Sequence, residues 1–172
     1  FLFCREEILK LQEIRSSIYE KEVRIVWVGT ASNIKFLDVA ITALEQAAIN
    51  MKKLNKKLVL CVVCNIPYKK NVKVLHIENI KWSREIAKFE MSKAHIGIMP
   101  LANIHYVKGK GGFKLIQYLS AGIPVVASEL GFCKEVVNKD CGYLVPIDKP
   151  EIWMETIQKL GTDKKLWKKI SD

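Results

Sequence analysis

A doubly wound α/β fold built on a parallel sheet of about six strands is predicted by three features of this sequence. Short apolar runs rich in β-branched residues recur along the chain, segments of helical periodicity separate them, and the runs are continuously rather than alternately apolar. Continuous apolar strands are covered on both faces, as in parallel sheets whose crossovers are helices. With 172 residues, 49% of them hydrophobic, the chain is long enough for one core without disulfide or metal staples.

Ile8, Leu11, Ile14 and Ile18 recur at three- and four-residue spacing, which predicts an amphipathic helix over residues 6–18. Residues 1–22 are read as a lead-in helix or interdomain segment, and residues 23–172 as one domain. Residues 23–28 form the first strand, with a tight exit at Gly29-Thr30, and a helix follows from about residue 34 to 54. Further strands are expected at 58–64, 72–77, 96–99, 124–128 and 143–145. Ser83 is placed to cap a helix carrying Ile86 and Phe89, and Asp148-Lys-Pro-Glu151 reads as a capping box with proline in the first turn. Six such strands suffice for a Rossmann-like domain. No internal repeat or linker follows Val23, so any second domain would lie outside this chain.

The formal charge of +10 favours an anionic partner. Nucleic acid, acidic phospholipid and nucleoside diphosphate all fit that sign, but no RNP-like string interleaves aromatics with the basic residues, which turns the reading away from RNA. No apolar run is long enough to span a bilayer, and Phe1-Leu-Phe-Cys4 is too short for a signal-peptide core, so a cytoplasmic protein is expected. The five cysteines are an odd number without a small-scaffold spacing, as suits reduced thiols. Cys61-Val-Val-Cys64 has the form of a redox or zinc motif, yet a strand sends positions three apart to opposite faces, which makes both core residues. No Asp-x-Asp metal motif occurs, and no cofactor is expected.

In an open parallel sheet, ligands bind beyond the carboxyl ends of the strands, where helix amino termini present N–H groups. Two loops qualify here: Gly29-Thr-Ala-Ser-Asn-Ile-Lys35 after strand one, and Leu101 to Gly112, which ends in Lys108-Gly-Lys-Gly-Gly112. Gly111 and Gly112 let the backbone approach a phosphate at the start of the helix that follows. Lys114 and Gln117 lie one turn apart, a cation for the phosphates and an amide for a ribose hydroxyl pair, with Leu115, Ile116 and Leu119 left to fill the core. The string is neither the Walker form nor the dinucleotide form, so by pattern alone it also fits a glycine-rich surface turn.

From about Val23 onward the chain resembles the donor domain of family-four glycosyltransferases of the GT-B type. The resemblance rests on Trp27-Val-Gly29 with Lys35, His95-Ile-Gly-Ile-Met-Pro-Leu101, Lys108-Gly-Lys-Gly-Gly-Phe-Lys-Leu-Ile-Gln-Tyr118, Ala121-Gly-Ile-Pro-Val-Val-Ala-Ser128, Lys134-Glu-Val-Val137 and Cys141-Gly-Tyr-Leu144. It implies one half of a two-domain enzyme that transfers a sugar from a nucleoside diphosphate to an acceptor with retention. The amino-terminal acceptor domain would be absent from this chain, which alone is expected to be inactive. The diphosphate would lie against Lys35, Lys114 and the backbone at Gly111-Gly112, with Lys35 and Lys114 stabilising the leaving phosphate. Gln117 would meet the ribose, the backbone from Asn79 to Lys81 would meet the base, and Gly29, Thr30, Asn103 and Lys110 would complete the donor site. Many relatives carry two glutamates eight apart, where Gly109 and Gln117 stand here, so relatives with a GKxGxK-type loop are the nearer comparison.

His95 and His76 read as structural histidines, while His105, beside Asn103 and Tyr106, is a further donor-contact candidate. Trp82 and Glu135 have both packing and ligand readings. The tail Lys164-Lys-Leu-Trp-Lys-Lys-Ile170 suits peripheral contact with an acidic membrane at its inner face, although packing its stripe on the domain explains the same letters. A non-catalytic nucleotide-binding module and a nucleic-acid-binding domain are the alternative readings.

Overall fold

The computed structural model describes residues 3–103 and 112–171. Six strands form one all-parallel sheet: β1 Glu22–Val28, β2 Lys57–Val63, β3 His76–Ile80, β4 Ile96–Met99, β5 Val125–Ser128 and β6 Gly142–Val145. Their order is β3-β2-β1-β4-β5-β6, so the winding reverses between β1 and β4. The described helices are α1 Arg5–Ile18, α2 Ile41–Lys52, α3 Arg84–Lys93, α4 Phe113–Ser120, α5 Cys133–Val136, α6 Glu151–Thr162 and α7 Lys164–Ser171, with a 3-10 helix at Ala31–Val39. The fold is α/β, doubly wound and Rossmann-like.

Period-two strand geometry divides the core in two. Val23, Ile25 and Trp27 of β1 face one side with Leu44 and Met51 of α2 and Trp153 of α6. Val26 and Val28 face the other with Met91 of α3 and Leu115 and Tyr118 of α4. Cys61 and Cys64 fall into opposite halves, as the strand geometry requires. Burial pushes the Cys61 thiol up to about 12, which leaves it a core residue and not a nucleophile.

Four expectations are corrected. β3 begins at His76 rather than residue 72, because the Glu45 carboxylate accepts the N–H groups of Lys73 (2.8 Å), Val74 (3.0 Å) and Leu75 (2.8 Å), taking amides that a strand would place in the ladder. The helix expected from residue 34 is a 3-10 helix followed by α2, with a break at Ala40. Asp148 does not cap α6: Pro150 stands at the cap, and the entry amides of Ile152 and Trp153 bond back to Lys149 and Pro150 in three-residue turns. Ile116 is 46% exposed, and Tyr118 takes the core place instead.

Tyr118 fills the opening at the reversal. Beyond the pairs Ile25↔Ile96 and Val26↔Gly97, β1 and β4 diverge, and the Val28 N–H donates to the Tyr118 hydroxyl at 3.0 Å. The ring lies against Gly97, where a Cβ would stand 2.6 Å from it. Only a glycine in β4 leaves that room.

At the amino end of the sheet, the buried Arg15 of α1 donates to Ser92 (2.9 Å), Met91 (3.3 Å) and Gly122 (3.1 Å), so its guanidinium satisfies carbonyls at the ends of α3 and α4. His95 accepts the Arg24 N–H on Nδ1 at 3.0 Å, which leaves Nε2 to donate to the Arg15 carbonyl at 2.9 Å. Trp167 of α7 donates its indole N–H to the His95 carbonyl at 2.9 Å, and Tyr19 stacks on Trp167 at 5.0 Å. His95 is thus structural, and the apolar stripe of the tail packs inward. α1 packs on this domain through Arg15 and Tyr19.

Burial lowers His95 to about 4. The folded value lies below the unfolded one of about 6.5, so the unfolded chain binds the proton more readily. Its contribution is full above pH 6.5 and is lost as pH falls toward 4. The expected loss of unfolding free energy over that interval is on the order of 2–3 kcal/mol, read from urea denaturation, with the His95 imidazole signal moving near pH 4; a midpoint near the ordinary value would contradict this. Tyr118→Phe leaves the buried Val28 N–H without its partner and is expected to cost about 1–3 kcal/mol, with faster hydrogen exchange at the Val28 amide. Unchanged stability and exchange would show that the hydroxyl carries no weight.

Candidate functional site at the carboxyl end of the sheet

Strand polarity sends every loop after a strand to one end of the parallel sheet, and the reversal between β1 and β4 opens a crevice there. Three segments border it: the turn from β1 into the 3-10 helix, the exit of β4, and the first turn of α4. Phe36 of the 3-10 helix shares a core cluster with Leu115 and Tyr118, which holds the first and third of these together.

Gly29 is buried, extends the ladder through its N–H to Val63 (3.1 Å), and lies against the Trp27 ring, where a Cβ would clash at 2.0 Å. Thr30 is exposed, and its hydroxyl accepts from Asn33 at 3.0 Å. Lys35 is exposed on the 3-10 helix. Asn103 is exposed just past β4, whose exit is fixed by the buried Ser128: its Oγ accepts the Leu101 N–H at 2.8 Å and donates to the Leu101 carbonyl at 3.1 Å. Lys110, Gly111, His105 and Tyr106, with Lys108 and Gly109, lie outside the described residues.

Gly112, at the cap of α4, has no side chain to bond the first-turn amides, and the positive pole of the helix points to the crevice end. The bare Cα of Gly112 abuts Phe132, where a Cβ would stand 2.1 Å from the ring. That contact, absent from the sequence reading, gives this glycine a packing reason. Lys114 Nζ lies 5.0 Å from the centroid of the Trp27 ring, a cation over a buried indole at the end of β1. Gln117 is half-buried, one turn further along.

Asn79 and Lys81 stand at the end of β3, two strands from β1. The Asn79 amide is committed to Tyr68, accepting its N–H at 2.6 Å and donating to its carbonyl at 3.1 Å. Lys81 and Trp82 are exposed beyond the strand. Gly29, Thr30, Asn103, Gly112 and Lys114 thus stand at the carboxyl end of the sheet on the segments that flank the reversal, Lys35 on the 3-10 helix and Gln117 one turn into α4, while Asn79 in β3 and Lys81 just past it stand at the same end two strands away. Trp27, Tyr118, Ser128 and Phe132 position these groups; the first three stood in the sequence reading only as parts of motifs, with no positioning role, and Phe132 not at all. Gly97 facing an aromatic helix position was the signal for Tyr118.

Solved structures share this fold. WaaG, a glycosyltransferase involved in lipopolysaccharide biosynthesis, superposes with a TM-score of 0.65 at 16% identity over 98% of this chain and 45% of its own. HepE of Anabaena, solved with UDP and glucose, gives 0.64 at 15% identity over 99% and 46%. The catalytic domain of starch synthase IV from Arabidopsis thaliana, solved with ADP and acarbose, gives 0.60 at 9% over 98% and 39%. The chain thus spans less than half the length of these proteins and corresponds to one half of a GT-B fold. No curated protein sequence matches it. The model of the family described as glycosyl transferases group 1 matches residues 22–163, which take in the whole sheet and the crevice. This chain belongs to the group 1 glycosyltransferase family.

Proposed function

We propose that the chain is the donor-binding half of a glycosyltransferase that moves a sugar from a nucleoside diphosphate to an acceptor, with retention of configuration. The observation that carries this is the placing of Lys114 in the first turn of α4 with its Nζ 5.0 Å from the centroid of the Trp27 ring, at the end of β1 beside the reversal. A diphosphate laid there meets a lysine cation and oriented N–H groups, the chemistry that anions require. As the glycosidic bond breaks, negative charge grows on the leaving phosphate, and Lys114, Lys35 and the helix end stabilise that charge more than they stabilise the ground state. Gln117, one turn on, is the group for the ribose hydroxyls. The solved complexes of HepE with UDP-glucose and of starch synthase IV with ADP support a nucleoside diphosphate as the ligand class.

The acceptor platform belongs, in this reading, to an amino-terminal half, in keeping with the coverage of less than half of each solved chain. A lone donor half leaves the sugar end of its ligand in water, so orientation and exclusion of solvent are lost and binding persists without transfer. Among the described residues no helix is long and apolar enough to cross a membrane.

Calorimetric titration with UDP, GDP and ADP tests the reading. Lys114→Ala and Lys35→Ala are each expected to weaken the preferred nucleotide by about 1.5–3 kcal/mol with little change in melting temperature. Gln117→Ala is expected to weaken the nucleotide but not pyrophosphate. Unchanged affinity in both lysine variants would place the site elsewhere, and sugar transfer by this chain alone would contradict the two-half account.

A further inference from the structure

The opposite end of the sheet carries a concentration of positive charge that the nucleotide reading leaves unused. A cavity of about 370 Å³ opens there, at the amino ends of β1 and β2, and Lys21, Lys52, Lys56, Lys57 and Lys73 line it. Lys56 is only 6% exposed and is held by Gly161 (2.9 Å) and Glu20 (3.6 Å), with its Nζ 4.0 Å from the Tyr19 ring centroid. Lys57 pairs with Glu22 at 3.6 Å. Among the described residues Lys21, Lys52 and Lys73 have no ion pair within 4 Å. The Glu45 carboxylate near this loop is already occupied by the amides of Lys73 to Leu75.

A second observation lies at the rim. α2 ends in a left-handed turn at Asn55 (φ 55°), with the Asn55 N–H bonded to the Lys52 carbonyl (3.0 Å) and the Lys56 N–H to the Met51 carbonyl (3.0 Å). This closure turns Lys53 and Leu54 outward, and Leu54 is 61% exposed at the tip of Lys52-Lys-Leu-Asn-Lys-Lys57. A soluble phosphate compound has no use for an exposed leucine, and single-stranded nucleic acid calls for aromatic stacking surfaces. An anionic bilayer accommodates both features: headgroup phosphates meet the lysines, and the leucine enters the interface.

We infer that this end of the domain docks on an anionic phospholipid surface, with Lys21, Lys52, Lys57 and Lys73 on the headgroups and Leu54 in the interfacial layer. The inference is independent of the nucleotide reading. It places the membrane against the amino ends of the strands, so the crevice at their carboxyl ends stays clear of it.

Cosedimentation of the chain with vesicles of equal amounts of phosphatidylglycerol and phosphatidylcholine, against vesicles of phosphatidylcholine alone, tests it. Binding to the anionic vesicles only, weakened by salt, is expected. K21A/K52A/K73A should weaken it about a hundredfold, at about fivefold per lysine, and L54A about tenfold. K134A/K139A/K149A, which removes the same charge from exposed positions elsewhere, should leave it little changed. Should the first triple variant not fold, K52A alone, at an exposed helix end, reads the same effect at about fivefold. Equal losses in the two triple variants would reduce the effect to net charge and overturn the inference. So would absence of binding to anionic vesicles, unchanged binding by L54A, or displacement of the vesicles by equimolar inorganic pyrophosphate, which would identify a small phosphate ligand instead.

Discussion

The contact between the Tyr118 hydroxyl and the Val28 N–H sets the geometry on which the rest of the site depends. A parallel sheet that reverses its winding must let neighbouring strands diverge, and the amides freed where they separate need partners. In this chain the partner comes from α4, so one side chain both satisfies β1 and fixes how the helix meets the sheet. Gly97 gives the ring its room, and Lys114 and Gln117, on the same helix, inherit their positions from that anchor. Placement of a cation near the end of β1 is thus a consequence of core packing.

The other end of the domain is held by a different kind of interaction. Arg15 carries its charge into the core and directs its donors to carbonyls near the ends of α3 and α4, where the negative poles of those helices favour a cation. Burial lowers its guanidinium to about 10, which still leaves it charged at neutral pH. Tyr19, His95 and Trp167 then lock α1 and α7 onto the amino end of β4. Around β4, the amino end of the sheet is thus closed by buried polar networks.

Much of the sheet could be read from the letters because burial on both faces imposes continuous apolar runs, and β1, β2, β4, β5 and β6 fall within one residue of their expected bounds. β3 could not, since its start is decided by Glu45, a carboxylate some thirty residues away in sequence that captures its approach. The same limit applies to Ile116 and Tyr118: helical spacing allowed either into the core, and only the glycine across the interface decides between them. At the carboxyl end, the turn after β1 and the helix that carries Lys114 and Gln117 followed from local spacing. The commitment of the Asn79 amide to Tyr68 did not, because it joins β3 to the loop before it through a bond that no periodicity relates.

The account stands on a nucleoside diphosphate binding in the crevice between β1 and β4. The most direct measurement is a backbone amide titration of the labelled chain with UDP by nuclear magnetic resonance. The expected result is saturable shifts at Gly29, Thr30, Gly112, Lys114 and Gln117, with the amides of β6 and α2 unmoved. Shifts confined to the amino end of the sheet, or none at saturating nucleotide, would contradict it.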